Sequence, residues 1–210
     1  MQPLVIDFAG KKVVIAGGGR IAARKAKVLE AEQAEITFIA PDFSEEVLEL
    51  SRKKGYALIE RKVQPSDFDG AILVILATND RNVNGTIAKM LPPNQLVCVV
   101  DESGDGNVTF PATVRRGHLQ IAVTSNGSSP KLTRKLKKDL EEQFDDSWET
   151  YTAFLAQCRE TIKKLSISSG EKNELLWELL DERFRTDFQA QSDKLAQLQH
   201  LGQHEEIKKM

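Results

Sequence analysis

Three stretches of this chain place ligand-binding or reactive residue types at spacings that chemistry uses. In "VVIAGGGRIAARKA", Gly17, Gly18 and Gly19 stand between a β-branched run and a helical pattern, reading G-x-G-x-x-A with Ala22 third. In a strand–loop–helix context Gly17 permits a tight turn, Gly19 lets the backbone approach a pyrophosphate, and Ala22 allows close helix–strand contact. Amides at the helix start then face the phosphates, so the motif reads as a dinucleotide loop. In the second stretch, Asp101 closes the apolar run "LVCVV". A partly desolvated carboxylate at a strand end can accept or relay a proton when a hydride leaves. The same "DESGDGN" also reads as an ordinary turn. The third stretch, "AVTSNGSSPKLTRKLKKDLEE", sets hydroxyls before a helix whose first turns carry Lys131, Arg134 and Lys135 but no acid. Helix dipoles favour the reverse arrangement by about a few tenths of a kcal/mol per charge.

Other candidates flank these stretches. A ribose-binding acid is expected near the end of the second strand, and that strand ends "FIAPD", with Asp42 just past Pro41. Asp42 either binds ribose hydroxyls, which favours NAD over NADP, or helps cap the next helix. Arg20 reads as a phosphate or adenosine contact, or as a solvated helix residue. Thr78 and Asn79, in "ATND", fall at the crevice outside the carboxyl ends of the strands, where ligands of open α/β sheets bind; both types also cap helices. Arg115, Arg116 and His118 precede the serine-rich loop Thr124 to Ser129. Together with Ser125, Ser128, Lys131 and Arg134 they would offer guanidinium, ammonium and hydroxyl partners to a small ligand with several carboxylates. The other reading is a solvated charged face. His118 is a proton carrier by its near-neutral pKa, or a plain structural histidine. No Cys/His cluster has metal-site spacing, and no metal is expected.

The elements that must hold these residues are legible as alternating patterns. Lys12 to Ala16, Ile36 to Ala40, Ala57 to Val63, Ala71 to Ala77 and Leu96 to Val100 read as strands. Ile21 to Ala31 and Ser44 to Lys54 read as helices, the second with Ser44 as N-cap and Val47, Leu48 and Leu50 buried. A further helix lies between the last two strands. Continuous apolar strands separated by helices predict an α/β fold with a parallel sheet covered on both faces. "HLQIAVTS" alternates as a strand with one solvated face. Ser129 and Pro130 then start a helix in which Leu132, Leu136, Leu140 and Phe144 are expected to form a buried stripe. Trp148, Tyr151, Leu155, Cys158, Ile162 and Leu165 mark the seam of another helix, and Leu176, Leu179, Leu180, Phe184 and Phe188 one or two more. All seven prolines lie at or before Pro130, and only Gly170 and Gly202 of thirteen glycines come later, which marks a helical region from about residue 145. The closing "HEEIKKM" is expected to fray.

Composition narrows the classes. The 210 residues are 40% hydrophobic and 29% charged with net charge −2, a globular balance that points to neither nucleic acid nor an acidic membrane. Two cysteines make no disulfide framework, and Cys98 reads as core. The N-terminal segment lacks signal-peptide features and the longest apolar run is too short for a bilayer, so a cytoplasmic protein is expected.

With these residues in view, "VVIAGGGRIAARKAKVLE", "FIAPD", "LATND", "VVDESGDGNVTFPATVRRGHLQIAVTSNGSSP" and the helix after them resemble the precorrin-2 dehydrogenase family of the siroheme-synthase type, strongly over about residues 1 to 145 and loosely beyond. The resemblance implies NAD-dependent oxidation of precorrin-2, a tetrapyrrole with many carboxylates, to sirohydrochlorin on the route to sirohaem and, in some organisms, cobalamin. It implies cofactor contacts at Gly17, Gly19, Arg20, Ile21, Pro41 and Asp42, with Thr78 and Asn79 nearby, a general base at Asp101, and a phosphorylatable serine at Ser125. It also implies a homodimer with a Rossmann-type NAD-binding domain over 1–112, a dimerisation and substrate-loop segment over 113–145, and a helical C-terminal domain over 146–210. The short C-terminal part carries no methyltransferase domain, which favours a dehydrogenase that leaves metal insertion to a separate chelatase. Two rivals stay open: a bifunctional enzyme that also inserts iron or cobalt, and a non-catalytic dinucleotide-sensing domain.

Overall fold

The computed structural model describes residues 1–100 and 105–207. The chain divides into two compact units, Met1–Phe110 and Pro111–Met210.

In the first unit, β1 (Lys12–Ala16), β2 (Glu35–Ala40), β3 (Ala57–Glu60), β4 (Leu73–Leu76) and β5 (Leu96–Val99) form one parallel sheet in the order β3-β2-β1-β4-β5. Helices α1 (Arg20–Val28), α2 (Glu45–Lys54) and α3 (Arg81–Met90) connect the strands, with a 3-10 turn at Pro65–Phe68 before β4. Alternate side chains of each strand enter different cores. Val13 and Ile15 pack with Ala22 and Ala26 of α1 and Val47 and Leu50 of α2. Val14 and Ala16 pack with Val74, Leu76, Phe68 and, from α3, Ile87 and Ala88. Helices therefore cover both sheet faces, which is why β4 and β5 are apolar at every position and β1 is apolar after Lys12. The fold class is α/β, as the pattern predicts.

Several elements end earlier than periodicity suggests. Helix α1 stops at Val28 rather than Ala31, because the chain must return to β2: Gln33 takes a positive φ of 52° and its carbonyl accepts from Gly10 N–H. β3 stops at Glu60 rather than Val63, because Arg61 leaves the ladder to form a bidentate pair with Asp67 at 2.6 and 2.8 Å. Ser44 sits at the α2 N-cap position without a side-chain cap bond, and Leu48 is half-buried.

The second unit opens with an antiparallel hairpin, β6 (Ala112–Arg116) and β7 (Leu119–Val123), closed by Gly117-His118. Gly117 at φ +57° is what a type II′ hairpin requires at its first central position. Helices α4 (Pro130–Gln143), α5 (Ser147–Lys164), α6 (Ser169–Glu178), α7 (Arg183–Thr186) and α8 (Phe188–Ile207) follow. Tyr151, Phe154, Cys158 and Ile162 of α5 join Leu179, Phe184 and Leu198 in a separate core. The α4 stripe departs from expectation. Leu132 is 49% and Leu136 39% exposed, and only Leu140 and Phe144 are half-buried. At 3.6 residues per turn, a repeat of four drifts by about 40° per step, so the stripe winds around the helix. Its last member, Phe144, meets Trp148 with ring centroids 4.9 Å apart. Leu180 and Phe188 are likewise exposed, at 53% and 64%.

Candidate functional site

At the carboxyl edge of the first unit's sheet, each glycine of the loop answers a different constraint. Gly17 has φ +137°, and a Cβ there would stand 2.4 Å from the Ala77 carbonyl oxygen. A Cβ on Gly18 would stand 2.0 Å from the Asp42 carbonyl oxygen, and Ser44 N–H donates to the Gly18 carbonyl at 2.8 Å. A Cβ on Gly19 would meet nothing within 4 Å. The loop is thus seated between the turn after β2, which carries Pro41 and Asp42, and the turn after β4, which carries Thr78 and Asn79. Gly19 opens outward at the N-cap of α1, which has no side-chain cap bond and no acid in its first turn. Ala22 is fully buried, while Arg20, Ile21, Pro41, Asp42 and Asn79 are exposed. Open space at Gly19, uncapped amides and bare backbone fit a pyrophosphate, and the residues present suit a dinucleotide.

Thr78 is held by a residue that sequence reasoning missed. Asn84, on α3 and 1% exposed, accepts from Thr78 N–H at 3.3 Å and from the Thr78 hydroxyl at 2.7 Å, and its Nδ2 donates to the Thr78 carbonyl at 3.2 Å. Asp80 caps α3, its carboxylate accepting from Asn82 and Val83 N–H. The signal available in the sequence was an Asn one turn after a capping Asp, which is too common to single out. On the neighbouring strand, Val100 N–H donates to the Leu76 carbonyl at 3.1 Å. Asp101, which follows it, lies outside the described residues.

In the second unit the residues expected around an acidic ligand fall into two groups. Arg115, Arg116 and His118 are at the closed end of the hairpin. Ser125, Ser128, Lys131 and Arg134 lie beyond the far end of β7, whose five residues span about 17 Å at roughly 3.3 Å each. At the closed end Arg116 is engaged internally: it donates to the Arg115 and Glu141 carbonyls and lies 3.4 Å from Asp146. His118 is exposed, and its backbone N–H donates to Thr152 Oγ1. At the far end Asn126 and Gly127 both take positive φ, and Ser128 N–H closes their turn on the Ser125 carbonyl at 3.0 Å. The Ser128 hydroxyl donates to the same carbonyl. The Ser125 hydroxyl accepts from Ser129 N–H at 3.0 Å and lies 3.1 Å from Thr133 Oγ1. Ser129 caps α4, accepting from Leu132 N–H, and Pro130 is its first residue, as predicted. Lys131 and Arg134 are exposed and pair with no carboxylate among the described residues, whereas Lys137 and Lys138 pair with Glu141 and Glu142. The unpaired cations therefore concentrate at the helix end its dipole disfavours.

Comparison with known proteins agrees with this geometry. Residues 4–112 match the family described as "Putative NAD(P)-binding", residues 116–143 the sirohaem biosynthesis protein central family, and residues 148–194 the SirC C-terminal domain. The chain is 36% identical over 199 residues to a precorrin-2 dehydrogenase of Priestia megaterium, covering 95% of this chain and 98% of that one. It is 36% identical over 159 residues to the precorrin-2 dehydrogenase of Bacillus subtilis (strain 168), covering 76% and 98%. The siroheme synthase of Pseudomonas entomophila (strain L48) matches at 34%, over 78% of this chain and 35% of that protein. A solved structure, "SirC, precorrin-2 dehydrogenase", superposes with a TM-score of 0.84 at 36% identity, covering 95% of this chain and all of the other. The chain belongs to the precorrin-2 dehydrogenase family, and its first unit is a nicotinamide-dinucleotide-binding fold.

Proposed function

We propose that this chain oxidises precorrin-2 to sirohydrochlorin on the route to sirohaem, with NAD as cofactor. The observation that carries the reading is the glycine loop seated between the β2 and β4 turns, in a chain alignable over 95% of its length with the precorrin-2 dehydrogenase of Priestia megaterium. The bound nicotinamide supplies the hydride acceptor. Gly17, Gly19, Arg20 and Ile21 line the pyrophosphate, and Pro41 and Asp42 the ribose. A carboxylate at Asp42 repels a 2′-phosphate, which is the reason for NAD over NADP. Thr78 and Asn79 shape the crevice beyond the loop. Dehydrogenation removes a proton as well as a hydride, and the Asp101 carboxylate receives that proton.

The substrate's carboxylates are assigned to the Ser125–Arg134 end of the hairpin, where hydroxyls and unpaired cations stand together. Arg116, engaged with Glu141 and Asp146, is given a structural part, and Arg115 and His118 a separate region of contact. The chain acts as a homodimer in the cytoplasm, and the exposed Leu132 and Leu136 of α4 support self-association.

The test supplies precorrin-2 with NAD and then NADP, following nicotinamide absorbance and the tetrapyrrole spectrum together. Turnover with NAD, faster than with NADP, is expected. Asp101→Ala should still bind dinucleotide but lose turnover. Absence of turnover with either nucleotide in the unmutated protein overturns the reading in favour of a dinucleotide sensor.

A further inference from the structure

We propose that Asn84 is a positioning residue of the dinucleotide site, holding the peptide on which the glycine loop rests. The proposal rests on the reading of that loop as the dinucleotide site. Asn84 is one of three buried polar or charged residues among those described, and the hydrogen bonds of its amide all go to one neighbour, Thr78. It accepts from Thr78 N–H and donates to the Thr78 carbonyl, so its side chain acts as a short strand beside the end of β4. Thr78 N–H belongs to the Ala77–Thr78 peptide, and the other end of that peptide is the carbonyl oxygen 2.4 Å from where a Gly17 Cβ would stand. Ala77 N–H in turn donates to the Ala16 carbonyl at 2.8 Å, directly before the loop. A tilt of this peptide would push its oxygen into Gly17 or open a gap beneath it. Asn84 therefore sets the height of the glycine loop from the opposite side of the peptide.

The same bonds divide the work of the β4 turn. The Thr78 hydroxyl lies 2.7 Å from Asn84 Oδ1 and 3.1 Å from the Asp80 carbonyl, and accepts from Asp80 N–H. It is engaged within its own turn. Asn79, exposed and outside this network, is the polar side chain of the turn that is left for the cofactor.

The 210-residue chain is titrated with NADH by fluorescence and with NAD by calorimetry, where stoichiometry reports the folded fraction and Kd reports the site. Asn84→Leu should weaken dinucleotide binding about tenfold at unchanged stoichiometry. Asn84→Asp keeps the acceptor but sets a carboxylate against the Thr78 carbonyl. Its affinity should be reduced at neutral pH and recover as pH falls toward about 5, where a protonated carboxyl replaces the missing donor. Asn84→Leu should show no such recovery. Asn79→Ala should bind several-fold more weakly at unchanged Tm. Asn84→Leu with unaltered Kd overturns the positioning role, and Asn79→Ala with unaltered Kd overturns the part given to the Asn79 side chain. If Asn84→Leu does not fold, the pH response of Asn84→Asp decides: Kd without recovery overturns the proposal. An unmutated chain that binds no dinucleotide removes the glycine-loop reading itself, an outcome distinct from variants that bind as well as it does.

Discussion

At Gly19 a methyl group would meet no atom within 4 Å, whereas at Gly18 it would stand 2.0 Å from a backbone oxygen. The two alanine variants should therefore fail in different ways. Gly19→Ala folds with Tm within about 2 °C of the unmutated chain, because its φ of −90° strains no side chain. Its dinucleotide Kd should rise about tenfold or more, because the methyl group occupies the space the pyrophosphate needs. Gly18→Ala should lower Tm by several degrees, since neither the Asp42 carbonyl nor the loop can yield without loosening the other. Thermal melts with and without NADH separate the two. The spacing of the three glycines was readable as a motif. The reason for the middle one was not, because its neighbour arrives from residues 40–44 through the fold. Asn84 escaped for the same cause: a buried side-chain bridge leaves no periodic trace.

Burial also governs a residue in the core of the second unit. Cys158 is fully buried, and that burial pushes its thiol up from 9.0 to about 11, against a weaker lowering by Lys194. Suppressed ionisation favours the folded chain below the unfolded thiol's pKa, and this contribution disappears as pH rises through the folded value. Stability should thus fall as pH rises from about 9 toward about 11. Cys158→Ala should be less stable at neutral pH, from its cavity, yet lose less Tm over that alkaline interval.

At the scale of elements, α4 shows what a periodic pattern states and what it omits. The run Leu132, Leu136, Leu140 and Phe144 announces an apolar stripe, but not which surface covers it. Leu140 and Phe144 are half-buried, Phe144 against Trp148, whereas Leu132 and Leu136 are exposed. Replacing both with Glu should change monomer Tm little, since neither is in the core, while converting the proposed dimer to monomer by light scattering. A Tm loss as large as that of a core substitution would show instead that the stripe serves the fold within one chain. β6 was not anticipated because "ATVRR" alternates weakly and ends in two arginines. It is defined by pairing with β7, a partner that only the turn at Gly117 brings alongside. The parallel strands were readable because each is apolar on both faces, which only a doubly covered sheet demands.

At the scale of the whole molecule, a net charge of −2 cannot draw in a substrate that itself carries many carboxylates. Attraction has to be local, and in the proposed reading the exposed cations at the α4 start supply it over distances near the Debye length, about 10 Å at 0.1 M salt. In that reading cofactor and substrate recognition rest on different units of the chain and should be separable by mutation. Lys131→Glu combined with Arg134→Glu should raise KM for precorrin-2 about tenfold or more, and flatten its rise with added salt, because the screened attraction is gone. Kd for NADH, set by the glycine loop of the first unit, should stay within about twofold. Gly19→Ala should give the converse pattern, with KM for NAD raised and the salt dependence of the tetrapyrrole retained. Steady-state kinetics across a salt series decides the matter. A charge-reversed variant whose precorrin-2 KM and salt slope match those of the unmutated chain would remove the basic helix entrance from substrate binding, and leave its unfavourable placement against the helix dipole without a purpose.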